Sequence, residues 1–223
     1  MSNDPALEAF DGVARLFPLP NLVLFPNVIQ GLHLFEPRFR ELAKDSIESD
    51  GLFAMAVFKP GWEVDYEGSP ALEPIACLGH IMDHEQLPDG RYNLRLRGVT
   101  RIRLIRELSL DTPYRMAKAE IVEQEKPNAI PALSALRKKL SAAVLARFEK
   151  ESGTHRQLLD LFTSEAPLEQ VCDMISYALP MPADFKYQLL SELNVAERIE
   201  IIVYAMAAVR KTKRKFPPEF SIN

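Results

Sequence analysis

The stretch LFPLPNLVLFPNVIQGLHL, residues 16–34, decides the fold. Its short apolar runs are separated by Pro18, Pro20 and Pro26, and a proline cannot donate a backbone hydrogen bond to a neighbouring strand. Each proline therefore marks a strand end, an edge or a bulge, and it also keeps the residue before it extended. Further on, Pro37 suits the first turn of a helix. The sequence here predicts a strand, a kink, a second strand and one amphipathic helix, with no catalytic group among them.

More extended segments follow this opening. Residues 52–58 form a short apolar run bounded by glycine and proline, which favours a buried strand. Residues 91–97 alternate polar and apolar side chains, and this period of two predicts a half-buried strand after a turn at residues 88–90. After a break at Gly98, residues 100–105 alternate again, and a further strand is expected within residues 114–122. We therefore predict an antiparallel β lobe that is partly closed and contains one helix.

The second half lacks this alternation. From residue 131 onward, apolar residues recur at every third or fourth position, which predicts a bundle of helices. Asn194 followed by Glu197 is typical of a helix N-terminus. We expect an α+β protein with four parts: a flexible lead-in (1–13), a β lobe (14–126), a helical lobe (127–210) and a basic C-terminal tail (211–223).

The composition is that of an ordinary globular protein. With 47% hydrophobic and 26% charged residues, the chain of 223 residues can form a sizeable core. Its net charge of −4 gives no general attraction to nucleic acid or to anionic membranes. There is no signal-peptide pattern, no apolar run of roughly 20 residues and no clustering of cysteines. These features predict a cytoplasmic protein that does not associate with membranes.

The order of several short motifs resembles the Lon N-terminal (substrate-binding) domain family. The motifs are LFPLPNLVLFP with LHLFEPRFRELA, then Gly79-His80-Ile81, Pro88-Asp89-Gly90 and LRGVTR at residues 96–101, and, in the second half, Asp173, Lys186 and Glu197-Arg198. The resemblance covers residues 16–210. It implies a PUA-like fold for the β lobe and the recognition of polypeptide substrates.

Catalysis is not expected. The full Lon protease adds an ATPase and a serine–lysine peptidase, whereas this sequence has no Gly-Lys-Ser/Thr phosphate loop and no G-x-S-x-G elbow, and little chain follows the helical lobe. We expect a non-enzymatic protein without cofactors that binds exposed apolar segments of unfolded or client polypeptides and can work with a separate protease. Candidate contacts are Phe25, Pro26, Trp62 and Tyr66, which are apolar and lie at strand ends or in loops. The simpler interpretation is internal packing for Phe25 and Pro26, and a lid over the core for Trp62.

An alternative function is RNA binding. Arg91, Arg95, Arg97, Arg101 and Arg103 have the spacing of a basic stripe on the outer face of paired strands, and such stripes bind nucleic acid. The same residues are also explained as a solvated face that nearby acidic residues balance. Neither the total charge nor base-stacking aromatic residues favour RNA, so nucleic acid is the less expected partner.

A metal site is a weaker alternative. Cys77, His80 and His84, with Asp83 beside them, resemble the spacing of metal ligands. On a strand, however, the two histidines share one face and the cysteine points to the other. We therefore predict no metal site.

Overall fold

A computed structural model describes residues 4–65, 68–125 and 130–208 of the chain. The strands are β1 (Val13–Leu19), β2 (Ile29–Leu34), β3 (Leu52–Val57), β4 (Ile75–Gln86), β5 (Tyr92–Leu108) and β6 (Met116–Ile121). The helices are α1 (Pro37–Ile47), α2 (Ile130–Leu145), α3 (Gly153–Thr163), α4 (Leu168–Ala178), α5 (Ala183–Ser191) and α6 (Val195–Ala208). Short 3₁₀ helices cover Pro5–Ala9 and Trp62–Asp65. The predicted α+β class is confirmed.

The strands form one mixed sheet that closes on itself. Their order is β2-β5-β4-β3-β1-β6, and β6 also pairs with β5. All pairings are antiparallel except that of β1 with β3, which is parallel. The parallel pair differs from the predicted antiparallel lobe. Its cause is the crossover formed by β2 and α1, because a parallel pair needs a long connection between its two strands.

The opening stretch folds as its prolines predicted. β1 ends at Leu19, a buried irregular segment follows, and β2 begins at Ile29. α1 begins at Pro37 and buries Phe39, Leu42 and Ala43 against the sheet. The spacing of these apolar residues therefore set the buried face of the helix.

Two cores hold the described part of the chain together. The smaller core lies within the closed sheet and consists mainly of alanine and leucine side chains, namely Ala14, Leu16, Leu52, Ala54, Ala56, Ala76, Leu78, Ile102, Ala117 and Ala119. The larger core runs without interruption from the other face of the sheet, through α1, into the helices of the second half. The helical lobe therefore packs on the sheet through shared apolar side chains.

A β-bulge at Val99 determines which way the side chains of β5 point. Gly98 pairs with Gly79 and Thr100 pairs with Leu78, so Val99 is an extra residue on β5. An extra residue shifts the alternation of the two faces by one position. β5 thus continues through Gly98, where the sequence predicted a break, and its side chains change faces there.

The described part of the predicted lead-in, residues 4–13, contains a short 3₁₀ helix and the first residue of β1. Asp4 caps the 3₁₀ helix Pro5–Ala9 by accepting a hydrogen bond from the Ala6 N–H at 3.1 Å. Leu7 and Phe10 pack against the smaller core. The predicted boundary near residues 126–128 and the basic tail (211–223) lie outside the described residues, so the division into lobes stays a prediction at those points.

Candidate functional site

A groove of about 730 Å³ opens between the sheet and the helices. Its walls come from the N-terminal 3₁₀ helix, the turn before β2, the middle of β5, the end of β6 and the start of α4. Apolar side chains supply part of the lining, namely Leu7, Pro26, Val99, Ile121, Val122 and Pro167. Four carboxylates belong to it as well, those of Asp4, Glu8, Glu123 and Glu169. The groove can therefore hold a ligand that offers apolar surface and hydrogen-bonding groups together.

Gly98 allows the turn before β2 to lie directly on β5. A Cβ atom at this position would be 2.1 Å from the carbonyl oxygen of Phe25 and 3.0 Å from Sγ of Cys77. Because glycine has no Cβ atom, the two backbones can form hydrogen bonds: the Asn27 N–H donates to the Gly98 carbonyl and the Gly98 N–H donates to the Val28 carbonyl, both at 2.8 Å. This close approach puts the turn at the edge of the groove.

A buried ion cluster lies beside the groove. The guanidinium of Arg101 makes two hydrogen bonds to the Asp173 carboxylate, from Nη1 at 3.1 Å and from Nη2 at 2.7 Å. Nη1 of Arg198 donates to the same carboxylate, and its Nη2 donates to Oε1 of Gln124 at 2.6 Å. The three charged side chains have no exposed surface. Gln124 lines the groove, so the cluster fixes part of the groove wall.

The electrostatics of the cluster follow from one carboxylate between two cations. Burial is the largest influence on the Arg101 guanidinium and acts to lower its pKa, but the charge and hydrogen bonds of Asp173, together with smaller contributions from Cys77 and Cys172, raise the pKa overall. For Arg198, burial and the nearby charge of Arg101 lower the pKa. Backbone carbonyls supply further acceptors, since Nε of Arg101 donates to Leu190 at 2.7 Å and Nε of Arg198 donates to Glu192 at 3.1 Å. The cluster joins β5 to α4 and α6.

The four residues predicted to contact polypeptide lie in different places. Pro26 lines the groove. Phe25 has no exposed surface, and its ring lies 5.9 Å from the Arg101 guanidinium, so it is part of the packing. Trp62 stacks on Phe58 with ring centroids 5.8 Å apart, and it is not among the groove residues. Tyr66 lies outside the described residues.

The bulge at Val99 divides the predicted arginine stripe. Arg101 is 1% exposed and faces the helices, not an outer surface as the spacing predicted. The other arginines pair with carboxylates: Arg91 with Asp89, Arg95 with Asp83, Arg97 with Asp4, and Arg103 with Glu120. The five residues therefore do not form the single basic face that RNA binding would need.

Cys77 and the two histidines of β4 are not brought together as ligands. Cys77 is buried, whereas His84 is exposed. Across residues 4–65, 68–125 and 130–208, no three His, Cys, Asp or Glu side chains are grouped so that they could hold a metal ion. Burial raises the pKa of the Cys77 thiol and raises that of Cys172 to about 12. Both thiols are therefore protonated at neutral pH.

None of the helices in the described part of the chain combines the length and the apolar character required to cross a membrane.

The ion cluster was not foreseen from the sequence. Asp173 and Arg198 were noted only as motif positions, and Arg101 was also assigned to the predicted arginine stripe. One signal was available, because Arg198 falls on the apolar face of α6 between Val195 and Ile202. A charged residue on a buried helix face needs a partner of opposite charge. That rule points to a buried acid, but spacing alone does not identify Asp173.

Comparison with known proteins decides the family. The ATP-dependent protease La (LON) substrate-binding domain matches residues 13–208. The chain belongs to this family. The resemblance seen in the sequence is thereby confirmed, and residues 13–208 of this chain are a LON substrate-binding domain.

Related LON proteins are much longer than this chain. Lon protease 2 of Herpetosiphon aurantiacus is 28% identical over 191 residues, which cover 82% of this chain and 22% of that protein. The Lon protease of Heliobacterium modesticaldum is 23% identical over 197 residues, which cover 86% of this chain and 23% of that protein. The chain thus spans less than a quarter of the length of these relatives.

Solved structures show the same fold. The Lon N-terminal domain protein from Xanthomonas campestris superposes with a TM-score of 0.61 and 25% identity, covering 89% of this chain and 99% of that one. The N-terminal domain of the Mycobacterium avium complex Lon protease gives a TM-score of 0.69 at 14% identity, covering 89% and 100%. The closed sheet with its following helices is therefore a LON N-terminal fold.

Proposed function

We propose that this LON domain binds exposed apolar segments of unfolded or client polypeptides in the groove between the sheet and the helices. The groove itself supports the proposal, since it is an open cleft with apolar side chains on both walls in a chain of the substrate-binding family. Its size, about 730 Å³, falls within the range of roughly 300–1,000 Å³ of ligand-binding clefts.

Burial of client side chains supplies the affinity. Each apolar side chain that leaves water and becomes fully buried contributes about 1.5–3 kcal/mol. Association and ordering of an unfolded segment cost several kcal/mol. A segment therefore has to insert more than one apolar side chain, and binding is weak enough for release.

Polar groups in the groove suit a peptide backbone. Arg198 engages Oε1 of Gln124, so the amide nitrogen of Gln124 is the group that can donate to a client carbonyl. Asn27 and Thr100 also line the groove and offer amide and hydroxyl groups. Contacts of this kind do not depend on the client sequence, because every residue has a backbone carbonyl. They favour a module that accepts many clients.

The proposed activity is recognition without chemistry. The bound segment is released unchanged or passed to a separate protease. Both cysteines are unpaired and buried, which fits a reducing compartment such as the cytoplasm.

Binding of the purified protein to a fluorescent unfolded polypeptide and to a short RNA, each at low and high salt, tests the proposal. Polypeptide binding should persist at high salt, because burial of apolar surface depends little on ionic strength. RNA contacts through phosphates should weaken steeply. Tight binding to RNA without binding to the polypeptide would contradict the proposed function.

A further inference from the structure

We infer that residues 4–10 form a displaceable strap, which occupies one side of the groove and moves away when a client polypeptide binds. This inference rests on the proposed function, because it describes how access to the same groove is controlled. The strap acts as an internal competitor, so the affinity for clients depends on the fraction of molecules in which it is open.

The strap lies outside the matched LON domain but belongs to the groove. The family match begins at residue 13, which is also the first residue of β1. Three side chains of the strap nevertheless line the groove, namely Asp4, Leu7 and Glu8. Gly12 turns the chain between the strap and β1 with a φ of 88°, a backbone conformation that suits glycine. The Gly12 carbonyl accepts from the Ala119 N–H at 2.9 Å, so the point about which the strap can turn is fixed to β6.

Light packing holds the strap in place. Every residue of its 3₁₀ helix, Pro5–Ala9, keeps part of its surface exposed, while Ala6, Leu7 and Phe10 pack half-buried against the smaller core. The Leu7 N–H donates to the Asp4 carbonyl at 2.9 Å and the Phe10 N–H donates to the Leu7 carbonyl at 3.2 Å, so these hydrogen bonds stay within the strap. A segment with few buried apolar contacts opens at a lower free-energy cost than the core does.

An ion pair fastens the strap to the sheet. Nη1 of Arg97 in β5 donates to Oδ2 of Asp4 at 2.6 Å, while Oδ1 of Asp4 caps the 3₁₀ helix. The Arg97 side chain is 29% exposed and that of Asp4 is 15% exposed. Water and salt weaken an ion pair that they can reach. The pair can therefore open while the two cores stay intact.

The strap offers the kind of side chain that a client would bring. Leu7 lines the groove and packs against the smaller core at the same time. When the strap moves away, the apolar surface that Leu7 and Phe10 cover becomes available to apolar side chains of the client. One set of apolar contacts then replaces another, so little apolar surface is left in water. The client and the strap compete for the same surface.

A cysteine probe on the strap distinguishes displacement from a fixed wall. In the full chain carrying Leu7→Cys, the rate of labelling by a thiol reagent is measured with and without a saturating unfolded polypeptide that lacks cysteine. Both native thiols are buried and protonated, so the labelling reports on the probe. Displacement should raise the labelling rate by about threefold or more, because the open form becomes the major one. A client bound against a fixed wall would cover the probe and slow its labelling.

Two further variants test the competition through affinity. Phe10→Ser weakens the packing of the strap on the smaller core, and Arg97→Gln removes the charge that fastens it. Each should strengthen binding of the unfolded polypeptide by about twofold to fivefold, since a larger fraction of the protein is then open. Ala9→Ser is the control, because Ala9 is exposed in the same 3₁₀ helix and outside the groove lining, and it should leave the affinity unchanged. Thermal unfolding shows whether each variant remains folded.

The negative results have different meanings. Polypeptide binding with slower or unchanged labelling of the Leu7→Cys probe would overturn the strap and leave the proposed function standing. Weaker or unchanged binding by both Phe10→Ser and Arg97→Gln would do the same, since a competitor that is loosened must yield to the client. Failure of the wild type to bind the polypeptide in fluorescence anisotropy would overturn the proposed function together with the inference.

Discussion

Arg101 of β5 and Asp173 of α4 form a fully buried ion pair with two hydrogen bonds, at 2.7 and 3.1 Å, which joins the sheet to the helices. Asp173 also accepts from Arg198 of α6. One carboxylate therefore holds three elements that are distant in sequence. The wall of the groove at Gln124 depends on the same cluster.

Asp173→Asn should destabilise the protein by about 3–5 kcal/mol, because the change leaves two buried arginines without a counter-charge. Urea unfolding followed by circular dichroism measures the difference. The control is Asp83→Asn, which removes the partner of Arg95 at a pair whose side chains are 51% and 59% exposed. Exposed pairs contribute about 0–1 kcal/mol. A similar small loss for both variants would contradict the structural role of the cluster.

Gly98→Ala should destabilise the chain by about 1–3 kcal/mol or more, as overpacking does. The added Cβ would meet the Phe25 carbonyl oxygen at 2.1 Å, and a backbone atom cannot move aside as the end of a side chain can. The matched control is Gly31→Ala in β2, where a Cβ atom would have no neighbour within 4 Å. Thermal unfolding compares the two variants. Equal unfolding temperatures for Gly98→Ala and Gly31→Ala would show that the close approach is unimportant.

The contact between Asp4 and Arg97 should depend on pH. The hydrogen bond from Arg97 lowers the pKa of the Asp4 carboxyl below its ordinary value of 3.8. A lowered pKa stabilises the folded state above the ordinary value, and this contribution is lost as the pH falls through the lowered value. Asp4→Asn keeps a capping oxygen but removes the charge.

We therefore expect Asp4→Asn to be less stable than the wild type at pH 7 by at most about 1 kcal/mol, because water partly screens the pair. The difference should shrink as the pH is lowered below 3.8. Urea unfolding at several pH values measures it. Asp11→Asn is the control, since Asp11 accepts from the Val13 N–H at 2.9 Å on an exposed surface. A stability difference between the wild type and Asp4→Asn that grows toward low pH would contradict a stabilising contact between the Asp4 carboxylate and Arg97.

The two thiols should be unreactive in the folded protein. Burial raises the pKa of Cys77 and of Cys172, and both side chains are inaccessible. A thiolate is the reactive form, so a thiol reagent at pH 8 should label neither cysteine until urea unfolds the chain. Mass spectrometry counts the labels. Rapid labelling of one cysteine under native conditions would show an opening of the core that the structure does not contain.

Local features of the fold could be predicted, whereas its long-range pairings could not. Pro37 marked the start of α1, and the alternation of residues 91–97 gave the buried side of β5 up to Leu96. Both features depend only on residues that are close together in the sequence. The parallel pairing of β1 with β3 and the extra residue Val99 depend on which strands meet in space. No periodicity within one strand reveals such a partner.

The same distinction explains the site. Pro26 was singled out because it ends an apolar run, and it lines the groove, while its contact with clients stays a prediction. Arg101 was assigned to the outer face because its spacing matched Arg95 and Arg97, but the bulge reversed its direction and buried it. The groove is lined by residues as far apart in the sequence as Asp4 and Gln170, and no sequence motif indicates that they lie close together in space.

The most direct test of polypeptide recognition in the groove compares two isoleucines of the sheet. Ile121 is 43% exposed and lines the groove, whereas Ile105 is 54% exposed and is not among the groove residues. Fluorescence anisotropy with an unfolded polypeptide gives the affinity of each serine variant. Ile121→Ser should weaken binding by about fivefold to tenfold. Full burial of an apolar side chain contributes about 1.5–3 kcal/mol, and a client can bury only the exposed part of the Ile121 side chain. Ile105→Ser should bind as the wild type does, and equal affinities for the two variants would contradict the assignment of the groove.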